Sequence, residues 1–321
     1  MASPKPTKTP TPTTAPPTRP AVGTIQLGVV GIDSSHLSEF SRRINTLNKQ
    51  GQTACQVTQM WTDGKHDMPG DEVEKWRLQA EAFGVVQSDR LDDMLDAVDG
   101  VLVLTVNGNR HLEHARPALR RGLPTYIDKP LSCRLDDARA ILELARQHKA
   151  RCYSASSLRF ASEVSAAAQD QSLGRVVAID AYGPGELNPS MPGLFHYGVH
   201  TIEMVDALWG PGVERVRCTS SADRDLLDLH YADGRSARLR MERVGAYDFG
   251  ATLHGSDGIR GFKVDFDGVY DRLVEGMVGF FAGQDPPASL ERIVENIAVM
   301  QAGNHSAQTG GGWVELDTPL S

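Results

Sequence analysis

Apolar residues in the first half of this chain fall in short runs that alternate with stripes of helical spacing. Residues 25–31 form a brief apolar run ending in glycine, which predicts a buried strand feeding a tight turn. Leu37, Phe40, Ile44 and Leu47 then share one helical face, predicting a helix over 37–47. The same reading gives strands over 57–62, 100–105, 124–127 and 151–154. It gives helices over 71–83, 92–97, 111–121 and 135–148, with Gly122 closing the third of these. Strand and helix alternate with short connections, so the sheet should be parallel and doubly wound, with ligands at the carboxyl ends of its strands.

After residue 156 the period changes. Strands are predicted over 176–181, 213–219, 225–231, 236–242, 247–254 and 259–265. Turns such as Ala232-Asp233-Gly234 and Gly255-Ser256-Asp257-Gly258 separate some of them. Helices are predicted over 195–208, 270–282 and 290–307. The fold class is therefore α/β: an N-terminal Rossmann-type doubly wound parallel sheet (24–155), then an α+β domain with a mostly antiparallel open sheet (156–321). Residues 1–23 are Pro/Thr-rich and too polar to offset ordering entropy, and are read as a disordered tail. An open sheet needs its bare face covered, which points to a homodimer or homotetramer formed through the C-terminal sheet.

Composition narrows the partners. The 321 residues are 40% apolar, enough for two cores. A net charge of −8 disfavours nucleic acid and anionic membrane surfaces. No apolar run reaches the ~20 residues of a membrane span, and the first twenty residues lack the apolar stretch of a secretory signal. Cys55, Cys133, Cys152 and Cys218 form no CxxC pair and read as free thiols, which suits the cytoplasm.

The first turn carries the candidate chemistry. In a G-x-G-x-x-G fingerprint, Gly31 takes the first glycine position, Asp33 the second and His36 the third, with Ile32, Ser34 and Ser35 between. A carboxylate ~4 Å from a phosphate charge is repelled by roughly 4 kcal/mol at an effective dielectric of about 20, about a thousandfold in affinity. Asp33 must therefore turn away, be neutralised, or exclude the dinucleotide. In one reading Asp33 or Ser34 caps the following helix, backbone N–H groups hold the pyrophosphate and His36 adds a donor. In the other the loop is rebuilt for a different ligand. Asp63 ends the second strand, where a carboxylate would meet the adenosine ribose and favour NAD over NADP. It lies 32 residues past Gly31, farther than the usual ~20.

Further on, Thr105-Val106-Asn107 follows a strand, His111 opens a helix, and 122–131 reads Gly-Leu-Pro-Thr-Tyr-Ile-Asp128-Lys129-Pro130-Leu. Leu158-Arg159-Phe160, then Gly198-Val199-His200 with Glu203 and Trp209-Gly210, and finally Asn304-His305-Ser306-Ala307 before Trp313-Val314-Glu315-Leu316 complete the series. This order resembles the Gfo/Idh/MocA family (glucose–fructose oxidoreductase and inositol dehydrogenase) from about Thr24 to Leu316. Asp128 stands for the family's Glu before Lys-Pro, and Val106 for the Pro of its Pro-Asn-x-x-His segment.

The resemblance implies that Lys129 lies beside the nicotinamide and the reacting hydroxyl, aimed by a cis or turn-forming Pro130. It implies that His200 is the general acid/base and that Thr105, Asn107 and His111 border the coenzyme. His196 replaces the family's Asp. Together with His200 it gives either two imidazoles sharing a sugar's hydroxyls or, at i and i+4 spacing, two possible metal ligands. Arg159, Tyr197 and Glu203 are candidate substrate contacts. The leading expectation is an NAD(P)-dependent oxidoreductase acting on a sugar, cyclitol or sugar derivative. The rivals are a non-redox lyase, hydratase or hydrolase acting on a keto-sugar in the same cleft, and a catalytically silent sensor or partner subunit.

Overall fold

The structure, a computed structural model, describes residues 23–316. The tail expected over 1–23 therefore lies, apart from Gly23, outside the described residues. The first domain runs β1 (Ile25–Val30), α1 (His36–Lys49), β2 (Cys55–Trp61), α2 (Gly70–Ala82), β3 (Val86–Gln87), α3 (Leu91–Ala97), β4 (Gly100–Val103), α4 (His111–Arg120), β5 (Thr125–Ile127), α5 (Leu135–His148) and β6 (Cys152–Tyr153). Its sheet has the order β3-β2-β1-β4-β5-β6, all parallel. That is the dinucleotide-type order, with its switch point between β1 and β4. The two-residue β3 was not foreseen: both its residues are exposed, so it carries no hydrophobic period.

The second domain opens with α6 (Ser162–Ala168), another element too short to show a stripe, and β7 (Val176–Pro184). It continues with α7 (Gly198–Trp209), β8 (Val213–Ser220), β9 (Arg224–Tyr231), β10 (Ser236–Glu242), β11 (Gly250–Gly255) and β12 (Ile259–Lys263). It closes with α8 (Val269–Phe281), α9 (Leu290–Gln308) and β13 (Val314–Glu315). Its seven strands are ordered β12-β11-β7-β10-β9-β8-β13, and only β7 and β10 run parallel.

The domains share their cores. The last helix but one, α8, returns to the first sheet. Leu273, Val274, Met277 and Phe280 pack there with Leu27, Phe40, Ile44, Tyr126 and Tyr153. The other core is continuous from Val103 and Ile127 through Val199 and Ile202 to Ile293 and Ile297. The boundary near 155 thus divides the sequence but not the packing.

The outer face of the second sheet is not apolar. Asp228 pairs with both Arg217 and Arg238, Glu242 with Arg224 and Arg240, and Arg215 and Arg217 lie over Trp313. Water can serve as the second layer for such a face.

Candidate active site

Gly31 ends β1 with φ +86°, and a Cβ there would stand 2.2 Å from Thr105 Oγ1. Glycine is thus demanded twice, by the backbone angle and by the close approach of the chain leaving β4. Asp33 turns inward and is 1% exposed. Its Oδ2 accepts from the Asp67 N–H (3.0 Å) and its Oδ1 from the Val106 N–H (3.3 Å). It therefore does not cap α1, as one reading expected, and its charge is met by two amides away from the turn. Ser34 Oγ accepts instead from the His36 N–H at 3.1 Å. The main-chain N–H groups of Ile32, Asp33, Ser34 and Ser35 find no protein acceptor among the described residues. Successive free amides before a helix N-terminus are the donor set that a pyrophosphate requires, so this loop fits a dinucleotide despite its missing glycines.

Several expected coenzyme contacts are instead parts of the scaffold. Thr105 and His111 are fully buried. Thr105 Oγ1 lies 2.6 Å from His114 Nδ1, and His111 spans the carbonyl oxygens of Pro130 (2.8 Å) and Thr105 (2.7 Å). Both ring nitrogens of His111 are thus engaged, and Thr105 turns its hydroxyl to His114. Asn107 Oδ1 accepts from the Asn109 N–H within its own turn. His36, expected to donate to phosphate, directs Nδ1 at Asp128 Oδ2 (3.0 Å) and Nε2 at the Tyr270 hydroxyl (3.3 Å). Asp63 sits at the carboxyl end of β2 as expected, where it accepts from the Lys65 N–H (3.0 Å) and pairs with Arg110. Burial opposes its ionisation, but the Arg110 hydrogen bond and the other donors outweigh this and hold its pKa below the ordinary value.

Lys129 follows β5 at a cis Lys129–Pro130 peptide. Its ammonium is 3.9 Å from Asp128 Oδ2. Asp128 is 2% exposed, with one oxygen shared between His36 and the lysine. Burial again disfavours its charge, but the His36 and Lys129 charges prevail and keep its pKa well below the carboxylate range.

The imidazoles come from the start of α7. His200 lies in its first turn, but His196 precedes the N-cap residue Tyr197. The two are therefore not one turn apart on a single helix. Both rings lie edge-on to Tyr197, with centroids at 5.0 and 5.3 Å. Among the described residues no group of three or more His, Cys, Asp or Glu could hold a metal. Burial, then the nearby Lys129 charge, depresses both histidines, His196 to about 4 and His200 well below its ordinary value.

Arg159 and Glu203, the expected substrate contacts, face each other inside the protein. Both are buried, and they form an internal network. Arg159 pairs with Glu203 (3.4 Å) and Asp206, and Arg292 reaches Asp206 from α9 at 3.1 Å. Tyr197 packs edge-on against the exposed Tyr247 at 5.6 Å. Sequence reasoning missed Ser156, whose Oγ lies 2.7 Å from His200 Nδ1, and Tyr270, which meets His36 from α8. A serine in a connection and a tyrosine 114 residues farther on carry no local signal of a shared site.

The fold sets a dinucleotide-type parallel sheet against a second, seven-stranded one, with the Lys129 charge acting on both His196 and His200. Residues 25–156 match the model of the Gfo/Idh/MocA oxidoreductases, a family with an NAD-binding Rossmann fold. No curated protein matches the sequence. Among solved structures, myo-inositol 2-dehydrogenase from Lactobacillus plantarum is 14% identical, with 92% of this chain and 100% of that one covered at a TM-score of 0.76. Scyllo-inositol dehydrogenase from Lactobacillus casei, with bound NAD(H) and scyllo-inositol, is also 14% identical, covering 92% and 100% at 0.75. GenD2 from gentamicin A biosynthesis, in complex with NAD, is 16% identical, covering 95% and 99% at 0.77. At these identities the likeness establishes the fold over both domains.

Proposed function

We propose that this protein is an NAD(P)-dependent oxidoreductase that moves a hydride to or from a carbon of a sugar, cyclitol or sugar derivative. The observation that carries the reading is that the charge of Lys129, at the carboxyl end of β5, acts on both His196 and His200 at the start of α7. A nicotinamide bound over the β1 turn would supply the hydride donor or acceptor. The free amides of Ile32 to Ser35 would hold its pyrophosphate, and Asp63 its adenosine ribose, which favours NAD over NADP. Lys129 and His200 hold the reacting oxygen, and Tyr197 with His196 orients the remaining hydroxyls of a polyol.

NAD+ and NADH titrations followed by nicotinamide fluorescence test the coenzyme. Absence of binding at millimolar concentration rejects the reading. With a substrate drawn from a panel of inositols and aldoses, Lys129→Met is expected to lower kcat by about 10²–10⁴-fold while coenzyme affinity is retained. Unchanged turnover would remove Lys129 from the reaction. The cytoplasm is the proposed place of action, since all four cysteines are buried and unpaired. No helix of the described residues is long and apolar enough to cross a membrane. A homodimer or homotetramer through the second sheet remains part of the proposal, on ionic rather than apolar contacts.

A further inference from the structure

The hydrogen bonds around Ser156 decide which nitrogen of His200 carries the proton. Ser156 is fully buried. Its Oγ accepts from the Leu158 N–H at 3.2 Å and lies 2.7 Å from His200 Nδ1. A hydroxyl has one hydrogen to donate, and a buried donor left without an acceptor costs about 1–3 kcal/mol. Among the described residues the acceptor in reach of that hydrogen is His200 Nδ1. If Nδ1 were the donor, the serine hydrogen would be stranded. The serine therefore donates, Nδ1 is unprotonated, and the proton of the neutral ring sits on Nε2.

Among the described residues no carboxylate is hydrogen-bonded to the ring to favour an imidazolium. Glu203, one turn along α7, accepts from the Ser156 and Arg159 N–H groups. Asp128 accepts from His36. The charged and titratable groups that act on the ring are Lys129, Asp128, His36 and His196, and of these Lys129 is the strongest and opposes protonation. Phe249 and Tyr197 supply its aromatic surroundings.

We propose that Ser156 is a positioning residue that fixes His200 as the Nε2–H tautomer, so that His200 serves as a neutral hydrogen-bond donor to the substrate oxygen and Lys129 alone exchanges the proton. The substrate role rests on the oxidoreductase reading, whereas the tautomer does not. In the reduction direction the carbonyl carbon would gain the hydride, the C=O π pair would move onto oxygen, and the Lys129 ammonium would give that oxygen a proton and be left as the neutral amine. His200 keeps its proton throughout and stabilises the negative charge developing on that oxygen. The arrangement replaces the two-step service of a charged acid/base by a fixed dipole.

The tautomer is read directly in protein labelled with ¹⁵N-histidine, by long-range ¹H–¹⁵N correlation from about pH 6 to 8, where an unperturbed imidazole titrates. The His200 signals are assigned by their loss in His200→Gln. The expected result is a protonated Nε2 and an unprotonated Nδ1 that do not titrate in this range, changing to mixed tautomers in Ser156→Ala. An Nδ1–H tautomer, or an imidazolium at pH 7, in the unmodified protein overturns the proposal. In turnover, His200→Gln retains an amide N–H near the Nε2 position and should stay within about tenfold of the parent kcat, while His200→Ala loses about a hundredfold. Equal loss in the two variants overturns the donor role. A failed coenzyme titration defeats the oxidoreductase reading and the substrate role with it, while the nitrogen shifts still decide the tautomer.

Discussion

Two residues govern the β1 turn in opposite ways. Gly31 is irreplaceable on steric grounds, since a methyl group would meet Thr105 Oγ1 at 2.2 Å in a backbone region closed to L-residues. Gly31→Ala is expected to cost about 2 kcal/mol or more and to shift the turn, read as a lower urea midpoint together with weakened coenzyme binding. Asp33 is tolerated where the fingerprint has glycine because it points at the amides of Asp67 and Val106. It ties the turn after β1 to the segments after β2 and β4. The thousandfold penalty expected from its charge assumed a side chain facing the phosphate, and the inward rotamer removes that premise.

At the level of elements, the cleft depends on how α7 is anchored. Arg159, just before α6, grips Glu203 and Asp206 on α7, and Arg292 on α9 shares Asp206. All but Arg292 are buried, so the network joins three segments where none has a polar surface to spare. Removing one carboxylate leaves the guanidinium uncompensated. Asp206→Ala is therefore expected to lower unfolding free energy by about 3–5 kcal/mol, measured by urea denaturation, while a charge-swapped exposed pair such as Arg121–Asp92 should change it by less than about 1 kcal/mol. The same anchoring holds His200 against Ser156, since Glu203 Oε2 accepts the Ser156 N–H at 2.9 Å. Helix α8 does comparable work for the first sheet, covering a face that its own crossover helices leave partly bare.

The molecule as a whole answers pH and salt through different groups. Burial, then the Arg110 charge, depresses His114 to about 4, and its side chain is 5% exposed. The unfolded chain protonates histidine near pH 6.5. Between about 6.5 and 4 the unfolded state binds more protons, so stability falls as pH falls through that window. His114 alone should cost about 2 kcal/mol between pH 7 and 5, and His196 acts in the same direction. Below about pH 4 the depressed carboxylates Asp63 and Asp128 add their own loss as they protonate. Urea curves at pH 7, 6 and 5 check the slope, which His114→Gln should flatten. Association through the charged outer face of the second sheet should weaken as salt rises from about 0.05 to 0.5 M. A sedimentation coefficient that does not change with salt would place any contact elsewhere.

Local chemistry made much of this legible. The period of the apolar residues gave the parallel sheet, the antiparallel sheet and most of their elements, because a strand or helix that buries one face must write that face into its own sequence. Lys129, His200 and the Gly31 turn stood out because each sits at an element end with a recognisable neighbourhood. The rest depended on groups far apart in the chain. Whether Asp33 faced in or out was settled by amides 34 and 73 residues away. That Arg159 and Glu203 meet each other follows from how closely their two segments pack. The partner of His36 came from β5 and that of His200 from the link after β6. A sequence states which side chains can donate, accept or carry charge, but their orientation follows from the acceptors and cavities that folding brings within about 3 Å, and only the tertiary structure supplies those.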